Sequence, residues 1–508
     1  MKNKIWLKTV AVLFTQGLLL LSITWAAIPE IRIPSQYGTV KETYAAQNNG
    51  QVPERTIIHI QDAHCNYEAQ KNMAKVLEYL AREYNLKLIM VEGGSGNVNL
   101  SFLRNYADEK SRLEIADKYL KEGKIAGEEY LDIVSDFPLE LYGIEDAALY
   151  DAHLAAFEKV DSFREEGLKY LKGLSNIVND LKAHIYSQEL QELEKKNSAY
   201  EDKTISLVEY CGYLNEMAGR KSLELKDYPH LAAFSEIALL EKEIDFKVAE
   251  LQRNTFIKDL AKLLDEKGVQ ELINKTQEFK AKKIPQEEYY SFLKARGEQK
   301  LELESNYPQL DAYIKYVTVS RKVNAAILLK EVSAIEEEII DGCLVNNDQR
   351  KLNEISKSLQ ILTKSLNLEL TPEDYEFFRA NRLQFSTASW IDFLTRNCQK
   401  YNLAMQPPAS NLIDENLQQL EVFYQLGVER ERAFIRNMAD KINESDEKIV
   451  VLITGGFHTP GITRMLKDKG YSYVVVAPAI TRKSDSGIYF SVLRGERSHS
   501  EEALNQGE

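Results

Sequence analysis

A chain of 508 residues exceeds one ordinary single-core domain, so two structural units are expected. Apolar residues make up 44% and charged residues 28%, a balance that suits a folded globular protein and excludes a disordered one. The formal net charge of -14 excludes the basic patch that a nucleic-acid surface carries.

Residues 1–26 read as a signal peptide. Lys2, Lys4 and Lys8 supply a positive start, Thr9 to Ile23 is apolar, and Thr24-Trp25-Ala26 offers a small-residue cleavage site after Ala26. An uncleaved membrane anchor is the other reading of the same segment, since Trp25 suits a membrane interface. The expected location is therefore periplasmic or secreted. Cys65, Cys211, Cys343 and Cys398 are widely spaced with no CxxC, which fits neither a disulfide scaffold nor a thiolate zinc site. Cys65, beside His64, reads as a small buried residue at a turn, with a nucleophile as the other reading.

Residues 27–52 are polar and turn-rich and read as a linker. From 53 to 149 strands and helices alternate. Thr56 to Ile60 is a β-branched run of buried-strand type, and Asn66 caps a helix reaching Tyr84, with Met73, Val76, Leu77 and Leu80 on one face. Leu86 to Val91 and Leu139 to Ile144 read as further strands, and helices between strands imply a parallel sheet. From 150 to 428 Gly and Pro become scarce and helical periodicity dominates, which predicts an all-α insertion without a fixed repeat. From 429 to 495 the α/β pattern returns: a helix, the strand Ile449 to Ile453, a glycine turn, a helix ending at Gly470, the strand Tyr473 to Ala477 and an edge strand at Ile488 to Leu493. Residues 496–508 read as a flexible tail. The expected fold is thus α/β, a mostly parallel sheet with flanking helices formed by both chain ends, plus a large all-α inserted region.

Polar residues gather just past the C-terminal ends of the expected strands, where open parallel sheets bind ligands. Asp62 and His64 follow the first, Glu92 ends the second before Gly93-Gly94, Glu145-Asp146 end the third, and Gly455-Gly456-Phe457-His458 follow the strand from Ile449. Imidazoles with carboxylates hold divalent transition metals, such a metal acidifies bound water, and a further carboxylate serves as base. Each residue also has a plainer reading: Asp62 or Glu145 as a helix cap, and His59, inside its strand, as a core histidine. Arg432 and Arg436 share a face of the helix before the last core strand, either as an exposed ion-paired face or as holders of a substrate oxyanion. His153, His184, His230 and His499 occur singly and receive no role.

At these residues the chain resembles the TraB/TIKI and EreA/ChaN-like superfamily. Gly455-Gly456-Phe457-His458, then Gly461 and Lys469-Gly470-Tyr471, are similar to that group's Gly-x-x-His turn, its helix and its closing Gly-Tyr; Asp62-Ala63-His64 and Val91-Glu92 resemble its first histidine motif and its glutamate. The resemblance implies an exported metal-dependent hydrolase of peptidase or esterase type, with His64, Glu92 and His458 as ligands of a divalent transition metal. Glu145 would be base or fourth ligand, Asp62 an orienting or reacting carboxylate, and Arg432 or Arg436 the oxyanion holder. The substrate would be a peptide, a protein or a small ester, with no nucleic-acid partner and membrane contact only through an uncleaved N-terminus. Members without metal that act as esterases, and haem- or metal-binding envelope proteins without turnover, mark the other readings.

Overall fold

The computed structural model describes residues 31–46, 55–281, 284–298, 300–408, 410–481 and 494. The signal peptide and the edge strand expected at Ile488 to Leu493 lie outside the described residues. Among the described residues, no helix is long and apolar enough to cross a membrane.

Among the described residues, seven strands form one mixed, mostly parallel sheet: β1 Gly38–Tyr44, β2 Thr56–Asp62, β3 Leu88–Val91, β4 Ser95–Asn97, β5 Glu140–Ile144, β6 Ile449–Gly455 and β7 Ser472–Pro478, in the order β1-β7-β2-β6-β3-β5-β4. The inner strands pair in parallel, and β1 and β4 close the two edges antiparallel to β7 and β5. β1 lies inside the stretch expected to be a linker. Its Thr39 to Thr43 stand exposed, so the sequence there carries no buried-strand signature.

Central strands are buried on both faces, and side-chain alternation sends their residues into two cores. Ile58, Ile60, Ile89 and Val451 pack with Met73, Val76, Leu77 and Leu80 of the helix Tyr67–Tyr84. Ile57, Met90, Val450 and Leu452 pack on the other side with Phe434, Ile435 and Met438 of the helix Leu412–Asn443 and Ile462 and Leu466 of the helix Thr459–Asp468. The helix after β2 therefore lies on one face and the helix after β6 on the other. Because β2 and β6 are neighbours, a crevice opens between their loops at the C-terminal edge.

Register brings the strand ends level. Asp62 pairs with Gly455, and Val91 pairs with both Ile453 and Gly143. Local signals agree with the outcome: Asn66 caps its helix by accepting from the Ala69 N–H, and Gly470 takes φ +74 after the helix Thr459–Asp468.

The described residues up to Ile177 and from Ile355 onward form one compact unit, and Val178–Glu354 form a second. The second is helical, and its own core gathers Phe256, Leu260, Tyr289, Leu293, Leu310 and Ile314. The helix Leu412–Asn443, most of which was expected to fall in the insertion, is part of the sheet-bearing unit.

Candidate active site at the strand ends

Asp62 is the last residue of β2, and two positions on His64 turns back toward it. His64 Nδ1 and Asp62 Oδ2 are 2.5 Å apart, with the Asp62 side chain 6% and the His64 side chain 39% exposed. Gln70, on the following helix, donates from Nε2 to Asp62 Oδ1 at 2.6 Å. Asp62 is thus fixed from two sides, and it holds the imidazole in one orientation. The negative charge of Asp62 raises the His64 imidazole to about 9, against the opposing effect of burial. Cys65 follows with φ 59, and burial and the Asp62 charge push its thiol up to about 11, which leaves it a poor nucleophile at neutral pH.

Glu92 stands one residue past β3. Its Oε2 accepts from the Gly455 N–H at 2.8 Å and its Oε1 from Arg430 Nη2 at 2.9 Å. A side chain at Gly455 would start 3.1 Å from His64 Nε2 and 3.6 Å from Glu92 Oε2. The glycine opposite Asp62 thus lets the side chains of His64 and Glu92 both lie close to its backbone without shifting. His458 Nε2 lies 3.6 Å from Glu92 Oε1, and its Nδ1 lies 3.2 Å from Glu431 Oε1. Burial lowers the His458 imidazole, but the charges of Glu92 and Glu431 outweigh it and raise the group to about 9. Burial also works against the ionised Glu92, yet His458, Arg430 and His64 hold it well below the usual carboxylate range.

Arg430 ties the strand ends together. Its Nε and Nη2 donate to the two carboxylate oxygens of Glu145 at 3.0 and 2.7 Å, Nη2 also serves Glu92, and Nη1 meets His153 Nδ1 at 2.9 Å. The two arginines expected at the site lie on the other side of this helix. Arg432 is exposed, and Arg436 is exposed and pairs with Asp146 at 3.3 Å, whereas Arg430 and Glu431 are buried. In a helix that turns 100° per residue, positions 430, 431 and 434 face the sheet while 432 and 436 face solvent. Glu145, expected as base or ligand, is 4% exposed and accepts from Arg430 on both oxygens.

Three further residues escaped the sequence reading. His153 has its Nδ1 on Arg430 and its ring 4.4 Å from that of Phe423, tilted by 32°; burial first, then Arg430, lower it to about 3. Its solitary place in a helical stretch gave no signal. Glu431 and Arg430 sat in the quoted Arg-bearing helix, but periodicity alone did not say which face is inward. His59 is core as read, with Nε2 on Thr454 Oγ1 at 3.0 Å, and burial lowers it to about 4.

Two cavities of about 290 and 330 Å³ meet at this cluster, and His64, Glu92, His153, Phe423 and Arg430 line both. One is bounded by Asp62, Glu128, Glu129, Tyr150 and Phe157, the other by Tyr424, Gly427, Gly455, Gly456 and Phe457.

An ion on His64, Glu92 and His458 would compete with the partners that Glu92 already has. Both Glu92 oxygens already accept hydrogen bonds, and the fixed cation of Arg430 stands on the same carboxylate. Among the described residues, no three His, Cys, Asp or Glu side chains come together in a group able to hold a metal ion.

Comparison with family models, curated proteins and solved structures gives no match. The chemistry of the site thus rests on its own geometry.

Proposed function

We propose that this protein is an exported hydrolase of ester or amide bonds in which His64, oriented by Asp62, activates water at the C-terminal edge of the sheet. The observation that carries the reading is the 2.5 Å Asp62–His64 contact, with the imidazole lining both cavities. An imidazole with one nitrogen fixed on a carboxylate presents the other to a water molecule, and the carboxylate stabilises the imidazolium that forms. Water attacks the substrate carbonyl, its proton passes to His64, and the same proton later leaves with the alcohol or amine.

The wall opposite His64 suits the other half of the reaction. Gly455, Gly456 and Phe457 line the second cavity and run into the helix Thr459–Asp468. A helix N-terminus favours the negative charge that develops on a carbonyl oxygen. Arg430, Glu145 and Glu92 hold the strand ends in register and keep His458 in place. The resemblance of the two histidine turns to the TraB/TIKI and EreA/ChaN-like superfamily, whose members include metal-free esterases, supports the same class. The Lys-start, apolar-run N-terminus supports export.

The test is a screen of aryl and alkyl esters and short peptides with purified protein, in the presence and absence of chelator. Turnover that survives chelator and disappears in His64→Gln supports the reading. Turnover that needs added metal, or that His64→Gln retains, overturns it.

A further inference from the structure

The cavity beside Asp62 carries a second acidic wall that the hydrolytic mechanism does not use. Glu128 is 5% exposed, lines this cavity, and its Oε2 has no hydrogen-bond partner. Its position is imposed by close backbone packing. Gly127 starts the helix Gly127–Val134, and a Cβ there would stand 2.4 Å from the Gln70 carbonyl oxygen. Gly127 N–H donates to Gln70 Oε1 at 2.7 Å, and the same Gln70 side chain donates to Asp62. One amide thus locks the Glu128 helix to the Asp62–His64 pair. Glu129 accepts from the Ala126 N–H at its own helix start at 2.8 Å, whereas Glu128 Oε2 is buried without a partner.

A buried carboxyl oxygen without a partner is costly, and a cavity next to it that is also bounded by an apolar wall favours a ligand that donates to that oxygen. Tyr150, Leu154 and Phe157 form that wall. Aromatic faces and carboxylates together favour organic ammonium ions. We infer that this cavity is a subsite for a primary ammonium group of the substrate, held by Glu128 beside the hydrolysed bond. The substrate class is then an ester or amide with an amine on the side of the scissile bond that faces Glu128. The placement of the scissile bond rests on the hydrolase reading; the ammonium site itself does not.

The groups facing Glu128 define how binding responds to protons. Burial, then the charges of Asp62 and Glu129, hold its carboxyl well above the usual range, against the weaker opposing effects of a backbone N–H hydrogen bond and of His64. Lys124 and Arg430 line the same cavity, and an arriving ammonium ion favours the ionised form of this carboxyl.

The test uses benzylamine as probe on the full-length protein, with benzyl alcohol and benzoate as uncharged and anionic controls, by calorimetry at pH 7. Benzylamine is expected to bind about tenfold or more tightly than either control. Glu128→Gln is expected to lose the preference. Equal affinity for amine and alcohol in the wild-type protein overturns the inference even if the variant does not fold. Amine binding in a protein that shows no turnover removes the hydrolase reading alone, and turnover without amine preference removes this inference alone.

Discussion

Arg430 grips Glu145 side-on, with Nε and Nη2 at 3.0 and 2.7 Å from the two carboxylate oxygens, and both residues are about 95% buried. A helix outside the sheet is thereby pinned to the end of β5, and through Glu92 to the end of β3. Removing one partner of such a pair leaves a buried charge uncompensated. Arg430→Ala is expected to lower stability by roughly 3–5 kcal/mol in urea denaturation. Arg430→Lys is expected to recover only part of this, because an ammonium does not reproduce the fork that spans Glu145, Glu92 and His153. A loss within experimental error in Arg430→Ala contradicts the role given to this residue.

Gly127 is the second packing constraint on the site. A methyl group there meets backbone, at 2.4 Å from the Gln70 carbonyl oxygen, and backbone yields less readily than a flexible side-chain end. Gly127→Ala is expected to cost about 1–3 kcal/mol and to loosen the Gln70 bridge to Asp62. Thermal unfolding of the purified variant measures the first effect. Retained stability shows that the two helices separate without penalty.

Stability is expected to depend on pH in a direction set by His458. Its imidazole is raised from 6.5 to about 9 in the folded protein, so it binds a proton more tightly there than in the unfolded chain. Its contribution is fully present below pH 6.5 and is lost as pH rises through about 9. Urea midpoints should therefore fall between these values in the wild-type protein, and the fall should be smaller in His458→Asn. Identical pH profiles for the two proteins refute the assignment.

Asp62 is expected to matter for rate far more than for fold. Asp62→Asn keeps the shape and the Gln70 contact but withdraws the charge that stabilises imidazolium at His64. A loss of activity of about 10²–10⁴-fold is expected, with circular dichroism unchanged. Rates within a few-fold of wild type would falsify the pairing as a functional one.

Much of the fold is legible because buried parallel strands are β-branched runs closed by glycine or acid. Ile57 to Ile60, Leu88 to Val91 and Val450 to Ile453 all read this way and all lie in the sheet. β1 was not legible, since an exposed antiparallel edge strand has no apolar pattern to betray it. The same contrast holds in the site. His64 and Glu92 stand just past strand ends and His458 follows a glycine turn, where position alone implies the edge at which parallel sheets bind ligands. Arg430 and His153 come from long helices, and only packing decides which turn of a helix meets the sheet. Arg432 and Arg436 satisfied every sequence criterion that Arg430 did, and fell on the wrong side of the cylinder.

The most direct measurement of the central claim is the pH dependence of kcat/KM for an ester substrate, recorded with chelator present, for the wild-type protein and His64→Gln. As general base, His64 acts only when neutral, and Asp62 holds its imidazole at about 9. The rate is therefore expected to climb with pH and level off above about 9, and that limb is expected to vanish with the histidine. A wild-type profile that is flat across this range, or a limb that survives in His64→Gln, contradicts the account.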